Sequence, residues 1–235
     1  MKIEVLFPEY CNLFGDLSNI KYLKQCLPEA EFIETRLNSN PCFADEDVSM
    51  IYLGPMSERI QEKVIDKLKP LKGRIEELID KGVVFLFTGN SFEVLGNYIE
   101  KEDGSRIEAL GIFDMWAKQD MMRRHNSIFL GEYKDMEING FKTQFTMTYP
   151  SESMDEYAFI KTVKGVGMNK KCSYEGICKN NFFGTYLVGP ILINNPYFTK
   201  RIIESLTHEN NPVIAHEAAV ISAFNQRVKD IKEKV

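Results

Sequence analysis

The stretch Val83-Val84-Phe85-Leu86-Phe87-Thr88-Gly89-Asn90-Ser91-Phe92-Glu93-Val94-Leu95-Gly96 decides the fold class. Its first five residues are apolar on both faces, which suits a central parallel strand covered by helices on each side. The chain then turns sharply through Gly89-Asn90-Ser91, and Asn90 followed three residues later by Glu93 has the form of a capping box starting a helix near Phe92. Two readings of this turn are open. It is a nucleophile elbow, in which a strained residue points its side chain over amides that stabilise an oxyanion. Or it is a plain strand-to-helix turn in which Gly89 only permits positive φ.

Outward from that turn, short apolar runs alternate with helical periodicity, the pattern of an α/β chain with a central mixed, mostly parallel sheet. Ile3 to Phe7 reads as the first strand, and Asp16 and Ser18 signal a helix over Asn19 to Leu27 that Pro28 stops. Glu31 to Leu37 and Ser49 to Leu53 read as further strands. Ser57 to Asp80 reads as two helices broken near Pro70 and Gly73. In the second half, turn signals at Asp103-Gly104, Asn139-Gly140 and Pro150 separate runs rich in Phe, Tyr, Thr and Val. Strands are expected at Ser127 to Tyr133, Phe141 to Tyr149, Ala158 to Lys164 and Phe182 to Leu187. Helices are expected at Pro196 to Thr207 and Val213 to Lys232. Without a repeat or a linker, residues 1–235 read as one domain.

Composition narrows the function classes. Of 235 residues, 44% are apolar and 27% charged, which excludes fibrous and disordered chains, and 29 Lys+Arg against 34 Asp+Glu leave a net charge of -5. The basic residues are interleaved with acidic ones, so nothing points to nucleic acid or an anionic membrane. Cys11, Cys26, Cys42, Cys172 and Cys178 show no C-x-x-C spacing, and His125, His208 and His216 are scattered; no metal and no cofactor is expected. No run approaches the ~18 apolar residues of a membrane span, and the expected compartment is the cytoplasm.

Three blocks of residues carry a resemblance. Phe7-Pro8-Glu9-Tyr10-Cys11-Asn12-Leu13-Phe14-Gly15-Asp16-Leu17-Ser18-Asn19-Ile20, Gly89-Asn90-Ser91-Phe92-Glu93-Val94-Leu95-Gly96 and Phe183-Gly184-Thr185-Tyr186-Leu187-Val188-Gly189-Pro190-Ile191-Leu192 occur in that order. They resemble the Y-P-D-x-x-N-L-Y-G-D-x-G-N-I, C-G-G-Y-Q-L-L-G and F-G-T-Y-L-H-G-P-L-L blocks of the CobB/CobQ-like class I glutamine amidotransferases. Within that family they look most like the glutaminase subunits of lipid II isoglutaminyl synthases. The resemblance implies a flavodoxin-like three-layer sandwich, a role in peptidoglycan amidation, and a Mur-ligase-like, ATP-dependent partner that receives ammonia.

The departures decide what the chain can do. The family's elbow cysteine attacks the glutamine amide and its third-block histidine activates that cysteine; here the positions hold Gly89 and Val188. The family's G-F-E-N-H stretch is Gly140-Phe141-Lys142-Thr143-Gln144, and its G-G-G-Q-D turn is Leu53-Gly54-Pro55-Met56-Ser57. Arg123 is matched to the family's substrate-contacting arginine, with Arg124 beside it as the alternative register. Ligand-binding candidates are Gly54, Asn90, Ser91 and Arg123. The expected function is a glutaminase-inactive binding or regulatory subunit of an ATP-dependent ligase. The alternatives are an amidotransferase or amide hydrolase with a relocated nucleophile, for which Ser91 is the candidate, and a standalone small-molecule sensor. The emptied positions predict a reduced, less polar cleft with Gly89 facing Val188, its walls refilled by Met56 and Phe92.

Overall fold

The computed structural model describes residues 1–234. In chain order the elements are β1 (Lys2–Leu6), α1 (Ser18–Cys26), β2 (Glu31–Thr35), β3 (Met50–Leu53), α2 (Glu58–Leu68), α3 (Lys72–Asp80) and β4 (Val84–Thr88). Then follow β5 (Tyr98–Glu100), β6 (Arg106–Glu108), β7 (Met115–Gln119), β8 (His125–Tyr133), β9 (Met136–Gln144), β10 (Thr146–Pro150), β11 (Ala158–Lys164), β12 (Tyr174–Lys179) and β13 (Phe182–Thr185). The chain closes with α4 (Ile191–Asn194), α5 (Pro196–Thr207) and α6 (Glu217–Lys234).

Nine strands form one mixed sheet in the order β2-β1-β3-β4-β13-β12-β11-β8-β9. The pairings from β2 to β13 are parallel and those from β13 to β9 antiparallel. Alternation along β4 explains the layers: Phe85 and Phe87 join Ile65, Leu68, Ile75 and Leu78 of α2 and α3, while Val84 and Leu86 join Ile20, Leu23, Phe198 and Ile202 of α1 and α5. A strand buried on both faces needs apolar residues at every position, as the run from Val83 to Phe87 has.

A second sheet of four strands, β10-β7-β5-β6, follows the elbow, and of these only β10 overlaps an expected strand, Phe141 to Tyr149. Its strands β5 and β6 are three residues each, too short for alternation to register. The expected strand Phe141 to Tyr149 is instead two: β9 pairs with β8 in the large sheet and β10 with β7 in the small one. Lys142, Gln144, Thr146 and Thr148 are all buried, so the period-2 pattern runs unbroken through the point where the chain changes partner. Asn139-Gly140 lies inside β9 rather than in a turn. Asn139 exchanges backbone and side-chain hydrogen bonds with Asn195, and Gly140 packs on Leu187; the hairpin turn is at Lys134-Asp135, where Lys134 has φ 54°.

The helix expected from Phe92 is a 3-10 segment, Gly89–Leu95, and the Asn90 to Glu93 capping box does not form. Ser91 to Leu95 are all buried, leaving no polar stripe for an amphipathic helix, and at Gly96 the backbone passes so close to Met115 O that a Cβ would sit 2.8 Å from it. The chain therefore leaves directly for β5.

Candidate functional site

Gly89 stands directly after β4 at the carboxyl edge of the parallel strands, where ligands of open α/β sheets bind. Its φ is +61°, the left-handed region in which an L side chain is strained. The loop after β3 is fastened to it by Asn90, whose Oδ1 accepts from Met56 N at 3.0 Å and whose Nδ2 donates to Met56 O at 2.9 Å. That clamp brings Pro55 over the elbow. A Cβ on residue 89 would overlap the Cβ of Pro55, a ring atom with no rotamer to give way. The space a side chain on residue 89 would need is filled by Pro55. Met56 lines the remaining cavity, and Phe92 is buried edge-on against Tyr186 at 4.7 Å.

That cavity holds about 200 Å³ and is bordered by Phe14, Met56, Asn90, Arg124 and Gln144 as well as Gly89. Val188 is not on it; it is buried, its N–H donating to Phe141 O at 2.9 Å, so Gly89 and Val188 do not face each other across a cleft. Arg124 rather than Arg123 borders the cavity, and Arg123 borders a separate cleft. Ser91 is fully buried, with its hydroxyl 2.7 Å from Thr88 O and 2.9 Å from Leu53 O, and so cannot reach a substrate. Gly54 is pressed against Cys11 O, where a Cβ would overlap it; its place is structural. Of the assigned site positions Gly89 and Asn90 border this cavity, together with Arg124, the alternative register for Arg123.

Three buried polar clusters surround the elbow, and none was legible in sequence, because each joins residues far apart in the chain. Asp16 is fully buried: its carboxylate accepts from Tyr52 at 2.7 Å, from Thr88, from Asn19 at 3.2 Å and from Gly189 N at 3.2 Å. Burial pushes its pKa up, and the four donors work against that rise. Lys142 and Glu175 form a buried ion pair at 2.6 Å, with Lys142 also donating to Gly167 O and Glu175 accepting from Tyr186 N. Glu93 accepts from Tyr186 at 2.5 Å, from Thr146, and from Gln61 at 2.8 Å.

Desolvation raises Glu93 to about 7, despite those donors. Because the folded value lies above the ordinary 4.5, the fold favours the protonated carboxyl. That contribution is fully present below about pH 4.5 and is lost as pH rises through about 7. Relative to Glu93→Gln, the wild type should lose on the order of 3 kcal/mol across this window. Denaturation of both proteins at a series of pH values checks this; parallel curves would contradict it.

None of the thiols is prepared for nucleophilic work. Burial pushes the Cys11 thiol up, as it does Cys26, Cys42, Cys172 and Cys178, and a nucleophilic cysteine needs the opposite shift. His208 and His216 have left-handed backbones at helix ends, His208 closing α5 and His216 preceding α6. Among the described residues no group of three or more His, Cys, Asp or Glu side chains could hold a metal ion.

Residues 2–196 match the model of the CobB/CobQ-like glutamine amidotransferase domain. The chain belongs to that family. It is 25% identical over 246 aligned residues to the subunit GatD of the glutamine-hydrolyzing lipid II isoglutaminyl synthase of Streptococcus pneumoniae, covering all of this chain and 92% of that one. It is 27% identical over 196 residues to the GatD subunit of Staphylococcus aureus, covering 82% of this chain and 79% of that one. Two solved structures share the fold at 10% identity. A glutamine amidotransferase has a TM-score of 0.56, covering 87% of this chain and 98% of its own; one from Thermotoga maritima has 0.53, covering 100% and 99%. The chain therefore shares the amidotransferase fold, with Gly89 at the turn after β4.

Proposed function

We propose that this CobB/CobQ-like chain is a glutaminase-inactive subunit that binds and regulates an ATP-dependent, Mur-ligase-like partner in the cytoplasm. The observation that carries the reading is Pro55 standing where a side chain on residue 89 would project. Loss of one member of a catalytic pair already removes most of what the pair supplies, and here residue 89 offers no nucleophile, residue 188 no base, and Pro55 occupies the space into which a side chain on residue 89 would project. The relatives are named as subunits of a synthase, which supports a partner for this chain. No helix of the described residues is long and apolar enough to cross a membrane.

The purified protein should release no ammonia from glutamine, and pull-down from its native cells should recover a ligase-sized protein that itself hydrolyses ATP. Ammonia release that survives repurification and disappears on mutating a cysteine would overturn the inactive reading. Recovery of the chain alone, under conditions that preserve weak complexes, would overturn the subunit reading.

A further inference from the structure

A second cleft, of about 570 Å³, opens between the small sheet and the segment 169–171, apart from the cavity at Gly89. Its volume lies in the range of small-molecule sites, about 300–1,000 Å³. Arg123, His125, Lys170 and Lys171 border it, with Lys118 on the sheet side. Lys118 is neutralised by Glu100 at 2.9 Å. Arg123, Lys170 and Lys171 enter no ion pair among the described residues. Two acids share the rim: Asp120, and Glu102, whose carboxylate accepts from Met122 N at 3.2 Å. The cations still prevail locally. His125 is held below its ordinary pKa first by burial and then by Lys170, with Arg123 and Lys142 adding to Lys170 against Asp120 alone. In a chain of net charge -5, three unpaired cations around one concavity are not a consequence of composition.

One end of an aromatic ladder borders the same cleft. The Arg106 guanidinium lies 4.1 Å from the centre of the Tyr98 ring, Tyr98 stacks on Trp116 at 5.5 Å and 21°, and Trp116 stacks on Tyr149 at 4.7 Å and 22°. This ladder crosses every strand of the small sheet from β6 to the edge strand β10. It ends at Tyr149, which has one aromatic partner and borders the cleft. A further flat group laid on Tyr149 would continue the ladder at ordinary stacking distance, with the unpaired cations around the same space.

We propose that this cleft binds a nucleotide-like ligand, its flat ring stacked on Tyr149 and its phosphate held by Arg123, Lys170 and Lys171. Base stacking on an aromatic side chain and charge-assisted bonds to phosphate are independent contributions. Each half of the ligand alone should therefore bind more weakly than the whole.

The test is calorimetric titration of the full chain with AMP, adenosine and inorganic phosphate, paired with fluorescence of Trp116, the protein's one tryptophan. AMP should bind at least about tenfold more tightly than adenosine or phosphate and should change the Trp116 emission saturably. Lys170→Glu and Tyr149→Ala should each weaken AMP about tenfold or more. Tyr149→Phe, which preserves the ring, should bind as the wild type does. Lys21→Glu, which makes the same charge change on the exposed part of α1, should leave AMP affinity unaltered. Absence of saturable AMP binding at millimolar concentration would overturn the proposal. So would phosphate binding as tightly as AMP, since the ring would then have no platform, or Lys21→Glu weakening AMP as much as Lys170→Glu, since the attraction would then be diffuse.

Discussion

Lys142→Met should cost about 3–5 kcal/mol of folding stability, the range for removing one partner of a buried ion pair. Glu175 is fully buried, and its remaining donors, Thr185 Oγ1 at 3.0 Å and Tyr186 N at 2.6 Å, are neutral. Without the ammonium the carboxylate stays charged in a dry interior or takes up a proton, and both are costly. At about 2–4 °C per kcal/mol for a chain of this size, thermal unfolding should move down by roughly 6–20 °C. Adding Glu175→Gln to Lys142→Met should recover most of the loss, because the neutral amide no longer needs the cation. Equal stabilities for the wild type and Lys142→Met, or no recovery in the double variant, would show that the pair is not the support its geometry describes. Lys142, in the stretch matched in sequence to the family's G-F-E-N-H block, is a fastening of β9 to β12 in the interior.

Gly89→Cys should fold less stably and gain no activity. Overlap with Pro55 costs about 1–3 kcal/mol as overpacking, and a side chain in the left-handed region adds about 1–2 kcal/mol. Adding Pro55→Gly should return the overlap part and leave the backbone part, which thermal unfolding of Gly89→Cys, Pro55→Gly and the two combined separates. Gly89→Cys with Val188→His should release no ammonia from glutamine. The new thiol meets Pro55, and residue 188 lies off the cavity with its backbone bound to Phe141. Displacement of the new thiol comes before any misplacement of substrate. Glutaminase activity from that double variant would mean that the loop carrying Pro55 retreats readily, and would refute a closed site.

The amino-acid sequence by itself determined the parallel half of the large sheet, the helices against it and the elbow after β4. Those features rest on local physics: apolar runs buried on both faces, 3.6-residue periodicity in α1, α2 and α5, and Pro28 and Pro70 as breaks. Three short blocks in order also marked the family, and by resemblance alone Gly89 and Val188 were matched to its nucleophile and base positions. Only the tertiary structure decided what surrounds them. Pro55 looks in sequence like any loop proline, and it fills the space beside residue 89 because Asn90 clamps Met56 from another strand's loop. Glu93 reads as half of a capping box, yet its carboxyl is taken up by Gln61, Thr146 and Tyr186, none of which is a sequence neighbour. The small sheet, with its ladder ending at Tyr149, was invisible because three-residue strands carry too little periodicity and because β10 continues the alternation of β9 while changing partner. Periodicity records which side of a strand is buried; it does not record which chain segment buries it.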